Sequence, residues 1–380
     1  MASRKKTVVL CPTSWRAREI LRGHFRARGW RVVEDTELLD VAAEQIDLVW
    51  VAGRDVPWMR VLSGTTSASV FYLRTAINRK ADMHRAVEKY LTNKKLGKPD
   101  SILRTAVPET HLIDLTELAE DDVDLREHLG DLKMLLHGRE GCPLWVLKAS
   151  DSNRGQDVHL YTSADIGSED MLRTISESQS TTWLLQKFVS EPLLFRQRKF
   201  HLRVIAMAVG DLRVHVHRHV VVIPAFSSYE NIVLDDKVDK FAFLTNHCIQ
   251  SSHADYKAGR FAMLLELCQD VFEAGLAPPG CSTPEILCDW LFDKICEVLA
   301  EVFAATQLSP TGFFPLAHCF ELFGCDLMVD SEFNVWLLEI NSGPCNQHVL
   351  FSHFARASAR SPMSFLCVAW LMHLTTWSGY

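Results

Sequence analysis

The sequence predicts a mixed α/β (α+β) chain of two or three domains. Three observations carry that expectation. Strands and a helix alternate near the N-terminus, two long apolar hairpins carry charged residues at period two, and a long helix with its own cap begins near residue 284. With 380 residues, 48% hydrophobic and 23% charged, the chain can bury a sizeable core. Its net charge of −7 offers nucleic acid no global attraction, so no nucleic-acid partner is expected. The 11 cysteines lie scattered without a CxxC pair, which fits reduced thiols and a cytoplasmic location. No apolar run approaches the ~18 residues of a membrane span, and the apolar run after Lys6 is too short for a signal peptide.

Thr7 to Cys11 reads as a strand, Ser14 to Arg28 as a helix closed by Gly29, and Trp30 to Val33 and Asp47 to Ala52 as further strands. This makes a small α/β unit over residues 1–76. Arg18, Arg22 and Arg26 fall at four-residue spacing on one helix face, where an acidic partner could dock, or which is simply solvated. A helix follows from Ile77 to about Leu91, then loops with a strand around Thr110 to Leu115. Leu144 to Lys148 and Val158 to Tyr161 are strands joined by a polar loop containing Arg154 and Gly155. Such a loop, with Lys148 at its entry, suits a phosphate cover, although it matches no glycine-rich consensus. Trp183 to Val189 completes a central unit over 77–197.

The last unit, 198–380, holds both hairpins. Lys199 to Val209 and Leu212 to Ile223 turn at Gly210-Asp211, a register that sets Arg203 opposite Arg218. Lys199, His201 and Arg203 share a face, and like charges opposed in a sheet call for an anion between them. His215, His217 and His219 line the other face of the second strand, as a polar face or a metal set without a fourth ligand. Tyr256 to Asp270 reads as a helix, Thr283 or Ser282 caps a long helix from Pro284 to Thr306, and the stretch after Gly343-Pro344 is mostly helical.

The second hairpin, Cys325 to Asn341, is the most informative stretch. With Ser331 to Asn334 as the loop, Asp330 pairs with Val335 and Asp326 lies opposite Glu339. Asn341, two residues on, points the same way as Glu339. Buried carboxylates need a partner or a metal, and a set of hard oxygens suits Mg²⁺ held together with phosphate oxygens. The alternative is a solvated rim.

These motifs resemble the tubulin-tyrosine ligase family. The resemblance rests on Trp145-Val-Leu-Lys148 with Asn153-Arg154-Gly155, Leu185-Gln186-Lys187-Phe188, Arg198 to Arg203, Leu244 to Gln250, and Phe323 to Asp326 through Glu339-Ile340-Asn341. It runs from about Ile77 to about Cys345. The resemblance implies an ATP-grasp architecture and ATP-dependent ligation through an acyl phosphate, with ATP and Mg²⁺ as cofactors. Lys80 and Lys148 would bind phosphates, and Gln186, Lys187, Phe188 and Val189 would form the adenine hinge. Lys199, His201, Thr245 and Asn246 would border the nucleotide. Arg203 would face the transferring phosphoryl group, and Asp326, Glu339 and Asn341 would hold Mg²⁺.

The implied partners are free tyrosine and the acidic C-terminal tail of α-tubulin, with a cytoskeleton-associated location. Glutamylation or glycylation of side-chain carboxylates, or a non-catalytic tubulin-binding module, are the alternatives. Three departures stand out. His201 replaces the Asp of many members, Ile223 stands where most carry an Arg, and Gly155-Gln156-Asp157 lacks a usual second Gly. Arg218 is the nearest residue to compensate for Ile223.

Overall fold

The computed structural model describes residues 4–12, 15–40, 45–93, 99–136, 144–152, 157–231, 233–234, 237–253 and 261–343. The N-terminal unit is a parallel sheet in the order β2-β1-β3-β4, from β1 (Thr7–Leu10), α1 (Trp15–Ala27), β2 (Arg31–Val33), β3 (Leu48–Trp50), α2 (Trp58–Leu62) and β4 (Ser67–Ala68). All four residues of β1 are buried, as a central parallel strand requires. Gly29, at φ 78°, takes the left-handed turn that ends α1.

Three helices then lead inward: α3 (Thr75–Asn78), α4 (Lys80–Thr92) and α5 (Leu103–Ala106). The next sheet is antiparallel, in the order β5-β8-β6-β7. It is made by β5 (Thr110–Asp114), α6 (Leu115–Glu120), α7 (Leu125–Leu136), β6 (Leu144–Ala149), β7 (Val158–Thr162), α8 (Glu169–Ser176) and β8 (Thr182–Lys187). Asp114 caps α6 by accepting from the amides of Thr116 and Glu117, where the sequence suggests only loop. Trp183, Leu185, Leu147 and Ile175 form this unit's own buried core.

The largest sheet runs β14-β11-β9-β15-β16, with β10 also on β9. Its parts are β9 (Phe200–Val209), β10 (Arg213–Val216), β11 (Val221–Pro224), the ribbon β12 (Val233–Leu234) and β13 (Lys237–Val238), α9 (Lys240–Phe243), α10 (His247–Gln250), β14 (Ala262–Met263), α11 (Leu264–Glu273), α12 (Pro284–Thr306), β15 (Phe320–Val329) and β16 (Val335–Ser342). All ten residues of β9 are buried, so both faces of the sheet are covered. One face packs on α12. Phe200, Leu202, Val204 and Ala206 of β9 join Phe323, Cys325 and Leu327 of β15 against Leu291, Ile295, Leu299 and Phe303. The spacing of those four on α12 is one helical stripe, and Thr283 caps the helix through the Ile286 amide. At the far end of the other face, Met207, Val209 and Phe320 pack on Val8, Leu10 and Phe25 of the N-terminal unit.

Three expectations change. β10 leaves the ladder at Val216, and β11 re-enters with Val221, not Arg218, opposite Arg203. Val335 pairs with Val329 rather than Asp330. The helix expected from Tyr256 begins at Leu264, after a short strand, with 254–260 outside the described residues. Arg154 and the helical stretch after Gly343 also lie outside them.

Because α12 supports the central sheet, Leu299→Ala should cost about 3 kcal/mol of stability. Ile286→Ala, at a site 46% exposed on the same helix, should stay within about 0.5 kcal/mol. Urea unfolding of both variants checks this.

Candidate active site

The face of the large sheet opposite α12 carries charge. A strict period of two along β16 would send Glu339 and Asn341 to the same side as Val335 and Leu337, which lie in the core. A bulge prevents this. The register shifts between Asp326 and Leu327, so Leu327 pairs with Leu337 and Asp326 with Glu339, leaving Leu338 as the extra residue. Glu339 therefore reaches the charged face, and Asn341 Nδ2 donates to its Oε1 at 2.9 Å. The expected opposition of Asp326 and Glu339 holds, by a route different from the expected turn.

A single row now crosses five strands: Met263, Val221, Arg203, Asp326, Glu339. Arg203 grips Asp326 with two parallel hydrogen bonds, Nε to Oδ1 at 2.5 Å and Nη2 to Oδ2 at 2.9 Å. Both side chains are buried. Burial pushes the Asp326 carboxyl up to about 6 against the pull of Arg203. Burial acts on Glu339 in the same direction, but Lys80, Asn341, Lys148 and Arg203 together outweigh it and hold its carboxyl at about 2. Lys80 Nζ lies 3.5 Å from Glu339 Oε2.

This face opens into a cleft of about 1000 Å³, part of it open to solvent, between the central and large sheets. Lys148, on β6, donates to Gln186 Oε1 at 2.7 Å and lies 3.5 Å from the Leu338 carbonyl, so the bulge residue helps hold it. Lys199 donates to the Phe243 carbonyl at 3.0 Å, with its ammonium over the rings of Phe188 and Phe243. Burial lowers Lys148 and Lys199 to about 8 each. His201 Nδ1 hydrogen-bonds Thr245 Oγ1 at 2.6 Å. Burial, then Arg203 and Lys199, drives its pKa down to about 3, so the ring is neutral at physiological pH. The Phe188 amide is engaged by the Leu144 carbonyl at 3.1 Å, so it cannot serve as the hinge donor without breaking the sheet.

Of the residues singled out from sequence, Lys80, Lys148, Gln186, Lys187, Phe188, Val189, Lys199, His201, Arg203, Thr245, Asn246, Asp326 and Glu339 line this one cleft. Asn341 stands behind Glu339. Arg218 is not brought in. It is exposed and pairs with Asp289 on α12, because the chain leaves the β10 ladder before reaching it. It therefore cannot compensate for Ile223, which lies opposite His201. The His217 and His219 rings lie tilted to each other with centroids 5.0 Å apart, and no cluster of three or more His, Cys, Asp or Glu able to hold a metal occurs among the described residues. Sequence reading missed Phe243 and Met328, which also line the cleft. Met328 was accessible by parity, two residues after Asp326, whereas Phe243 had no signal beyond its place before Leu244.

The acidic set is thus two carboxylates and an amide. Asp326 gives one lone pair from each oxygen to Arg203 and retains the others, and Glu339 is half-buried with its Oε2 beside Lys80. That fits an ion such as Mg²⁺, which keeps water and phosphate ligands, and not a metal needing a full protein cage.

A cleft between two antiparallel sheets, lined by Lys148 from the central one and by Lys199, Arg203, Asp326 and Glu339 from the large one, is the arrangement of an ATP-grasp fold. The C-terminal domain of K. lactis Pby1, an ATP-grasp enzyme whose crystal structure describes it as interacting with the mRNA decapping enzyme Dcp2, superposes with a TM-score of 0.60 at 22% identity, covering 90% of this chain and 86% of that one. The model of the tubulin-tyrosine ligase family matches residues 74–354, and the chain belongs to that family of ATP-dependent ligases. A probable tubulin–tyrosine ligase from Schizosaccharomyces pombe is 27% identical over 80% of this chain and 77% of its own length. The probable tubulin–tyrosine ligase PBY1 of Saccharomyces cerevisiae is 26% identical over 72% of this chain but only 39% of its own. Tubulin glycylase 3B of Drosophila melanogaster is 30% identical over 53% of this chain and 26% of its own.

Two outcomes follow. Arg203→Ala leaves Asp326 buried without its partner and should cost about 3–5 kcal/mol in urea unfolding. Both lysines are charged below pH 8 and lose charge above it. Affinity for ATP measured by calorimetry should therefore be flat between pH 6.5 and 7.5 and fall above pH 8.

Proposed function

We propose that this protein joins an amino acid to a protein carboxylate at the expense of ATP, with tyrosine as the amine substrate and the C-terminal carboxylate of α-tubulin as the acceptor. The observation that carries the reading is the clustering of Lys80, Lys148, Lys199 and Arg203 with Asp326 and Glu339 on one cleft. With Lys187, five cationic side chains against two carboxylates leave the cleft net positive, which suits a polyphosphate. Gln186, Lys187 and Val189, which line the cleft, would border the base, with Phe188 beside them as apolar wall.

Asp326, Glu339 and Asn341 would hold Mg²⁺, which when bound offsets phosphate charge. The acceptor carboxylate attacks the γ-phosphorus, the bond to the β-phosphate oxygen breaks, and ADP leaves. Lys148 and Arg203 stabilise the charge on the transferring group, both already fixed by hydrogen bonds and so needing little reorganisation. The amine then attacks the acyl carbon, loses a proton, and inorganic phosphate departs. His201, neutral and tied to Thr245, preserves the positive character that an Asp at this position would reduce. No cysteine is needed for any step, and most of the rate comes from positioning.

The half-buried Arg18 and exposed Arg26 of α1 offer an acidic tail a place to rest, although Arg22 is already bound by Glu19 and Glu34. The reading places the protein in the cytoplasm, with the cytoskeleton. One observation favours a second reading in which a different amino acid is ligated. Ile223, Val221, Met263 and Ile205 make an apolar strip beside Arg203, where most family members bring an Arg.

The test is incorporation of labelled tyrosine, glutamate or glycine into detyrosinated tubulin with Mg-ATP. Tyrosine incorporation that drops at least about a hundredfold in Lys148→Gln supports the proposal. Incorporation of glutamate or glycine instead rejects the amino acid, and none with any of them rejects the acceptor.

A further inference from the structure

Beyond the charged row, the same face of the large sheet turns apolar. Alternation along β9 sends Arg203, Ile205 and Met207 to one side. The row next to Arg203, Asp326 and Glu339 reads Ile205, Gly324, Asn341, and the one after it pairs Met207 with Leu322. Toward the sheet edge, Ile223 lies opposite His201, and Val221 lies between Arg203 and Met263. Ile205 and Val221 are the buried floor of a cluster, with Ile223, Phe261, Met263 and Leu322 half-buried around them.

Two features set this strip apart from an ordinary core. It is a cluster of its own, separate from the core under α12, and only Leu322 also touches the contact with the N-terminal unit. Its half-buried members leave apolar surface partly in water beside a charged row, the mixture that lines a small-molecule site. The second feature is Gly324, in the middle of the ten-residue β15, directly between Ile205 and Asn341. A glycine inside a strand gives up packing, and it lets a ligand or another backbone come close. Here the missing side chain is one row from Asp326 and Glu339, on the face that carries the cleft.

We propose that this strip is the side-chain subsite for the amino acid that is ligated, and that it selects an apolar side chain, aromatic or long aliphatic, with Ile223 and Phe261 as specificity-determining residues. The inference rests on the reading of the cleft as an amino-acid ligase site. With the nucleotide at the Lys199 and His201 end of β9 and the transferring group at Arg203, the positions beyond Arg203 belong to the other two substrates. An acidic acceptor gains nothing by desolvating carboxylates against six apolar side chains, which assigns the strip to the free amino acid. The backbone of that amino acid crosses the sheet at Gly324, beside Asn341, with its amine directed at the acyl carbon near Arg203. Its side chain lies over Ile205 and Val221. A glutamate there would bring a carboxylate against the same apolar groups, and a glycine would leave them uncovered.

The test is calorimetric binding of tyrosine, phenylalanine, leucine, glutamate and glycine to the full chain in the presence of Mg²⁺ and a non-hydrolysable ATP analogue, with no acceptor. Phenylalanine and tyrosine should bind at least about tenfold more tightly than glutamate and glycine, with leucine closer to phenylalanine than to glutamate. Phe261→Ala should weaken phenylalanine about tenfold, and Phe261→Leu should restore most of the loss. Ile223→Arg should shift the preference toward glutamate by about tenfold. The native panel decides the matter if a variant fails to fold. Glutamate or glycine binding as tightly as phenylalanine overturns the proposal, as does unchanged phenylalanine affinity in a folded Phe261→Ala. A native protein that binds the analogue but none of the amino acids also overturns it, and leaves the nucleotide site standing. Failure to bind the analogue itself contradicts the ligase reading, and the subsite falls with it.

Discussion

Arg203 and Asp326 face each other in the middle of a sheet that is covered on both sides, and neither could stay there alone. An isolated buried ion of either sign is costly, and the two-pronged pair makes both tolerable. Once the pair is in place, the neighbouring positions in the row take their character from it. Val221 and Met263 lie on the apolar side, and Glu339 on the acidic side, where Lys80 and Lys148 oppose it. The sheet therefore divides by face. One side is filled by α12. The other runs from the docked N-terminal unit, across the row, to the cleft.

The hairpin shows how far sequence parity reaches. Asp326 opposite Glu339, with Asn341 beside it, is readable because period two is a covalent property of the strand. The bulge at Leu338 is not readable, because it exists to satisfy both the core below Val335 and Leu337 and the charges above. Two errors, a turn displaced by one residue and an unseen bulge, cancelled at Asp326. No such cancellation occurred in the basic hairpin. There, the ladder breaks after Val216 and resumes at Val221, so a register counted from Gly210-Asp211 misplaced Arg218 by three positions relative to the residue actually facing Arg203. The turn does not encode that break, and Arg218, displaced from the sheet by it, meets Asp289 of α12 instead.

Elements with local signals were legible. The Thr283 cap and Pro284 announced α12, Gly29 announced the end of α1, and apolar runs announced β5, β6, β8 and β9. The cleft itself was legible only as separate motifs. Lys148 and Gln186 are joined by a hydrogen bond between paired strands, and Lys199 sits between Phe188 and Phe243 from different parts of the chain. Membership of the tubulin-tyrosine ligase family and the ATP-grasp fold explain why these motifs occur in this order. Geometry adds how charge is balanced before any substrate arrives: Glu339 is held ionised, His201 is held neutral, and two lysines are poised near pH 8.

The central claim is that the acidic end of the row is a Mg²⁺-dependent nucleotide site. The most direct measurement is the affinity of a non-hydrolysable ATP analogue at pH 7, with and without Mg²⁺, for the native protein and for Glu339→Gln. The account predicts that Mg²⁺ tightens binding at least about tenfold in the native protein and has little effect in the variant, which keeps its shape but loses the charge. Equal tightening by Mg²⁺ in both would contradict it.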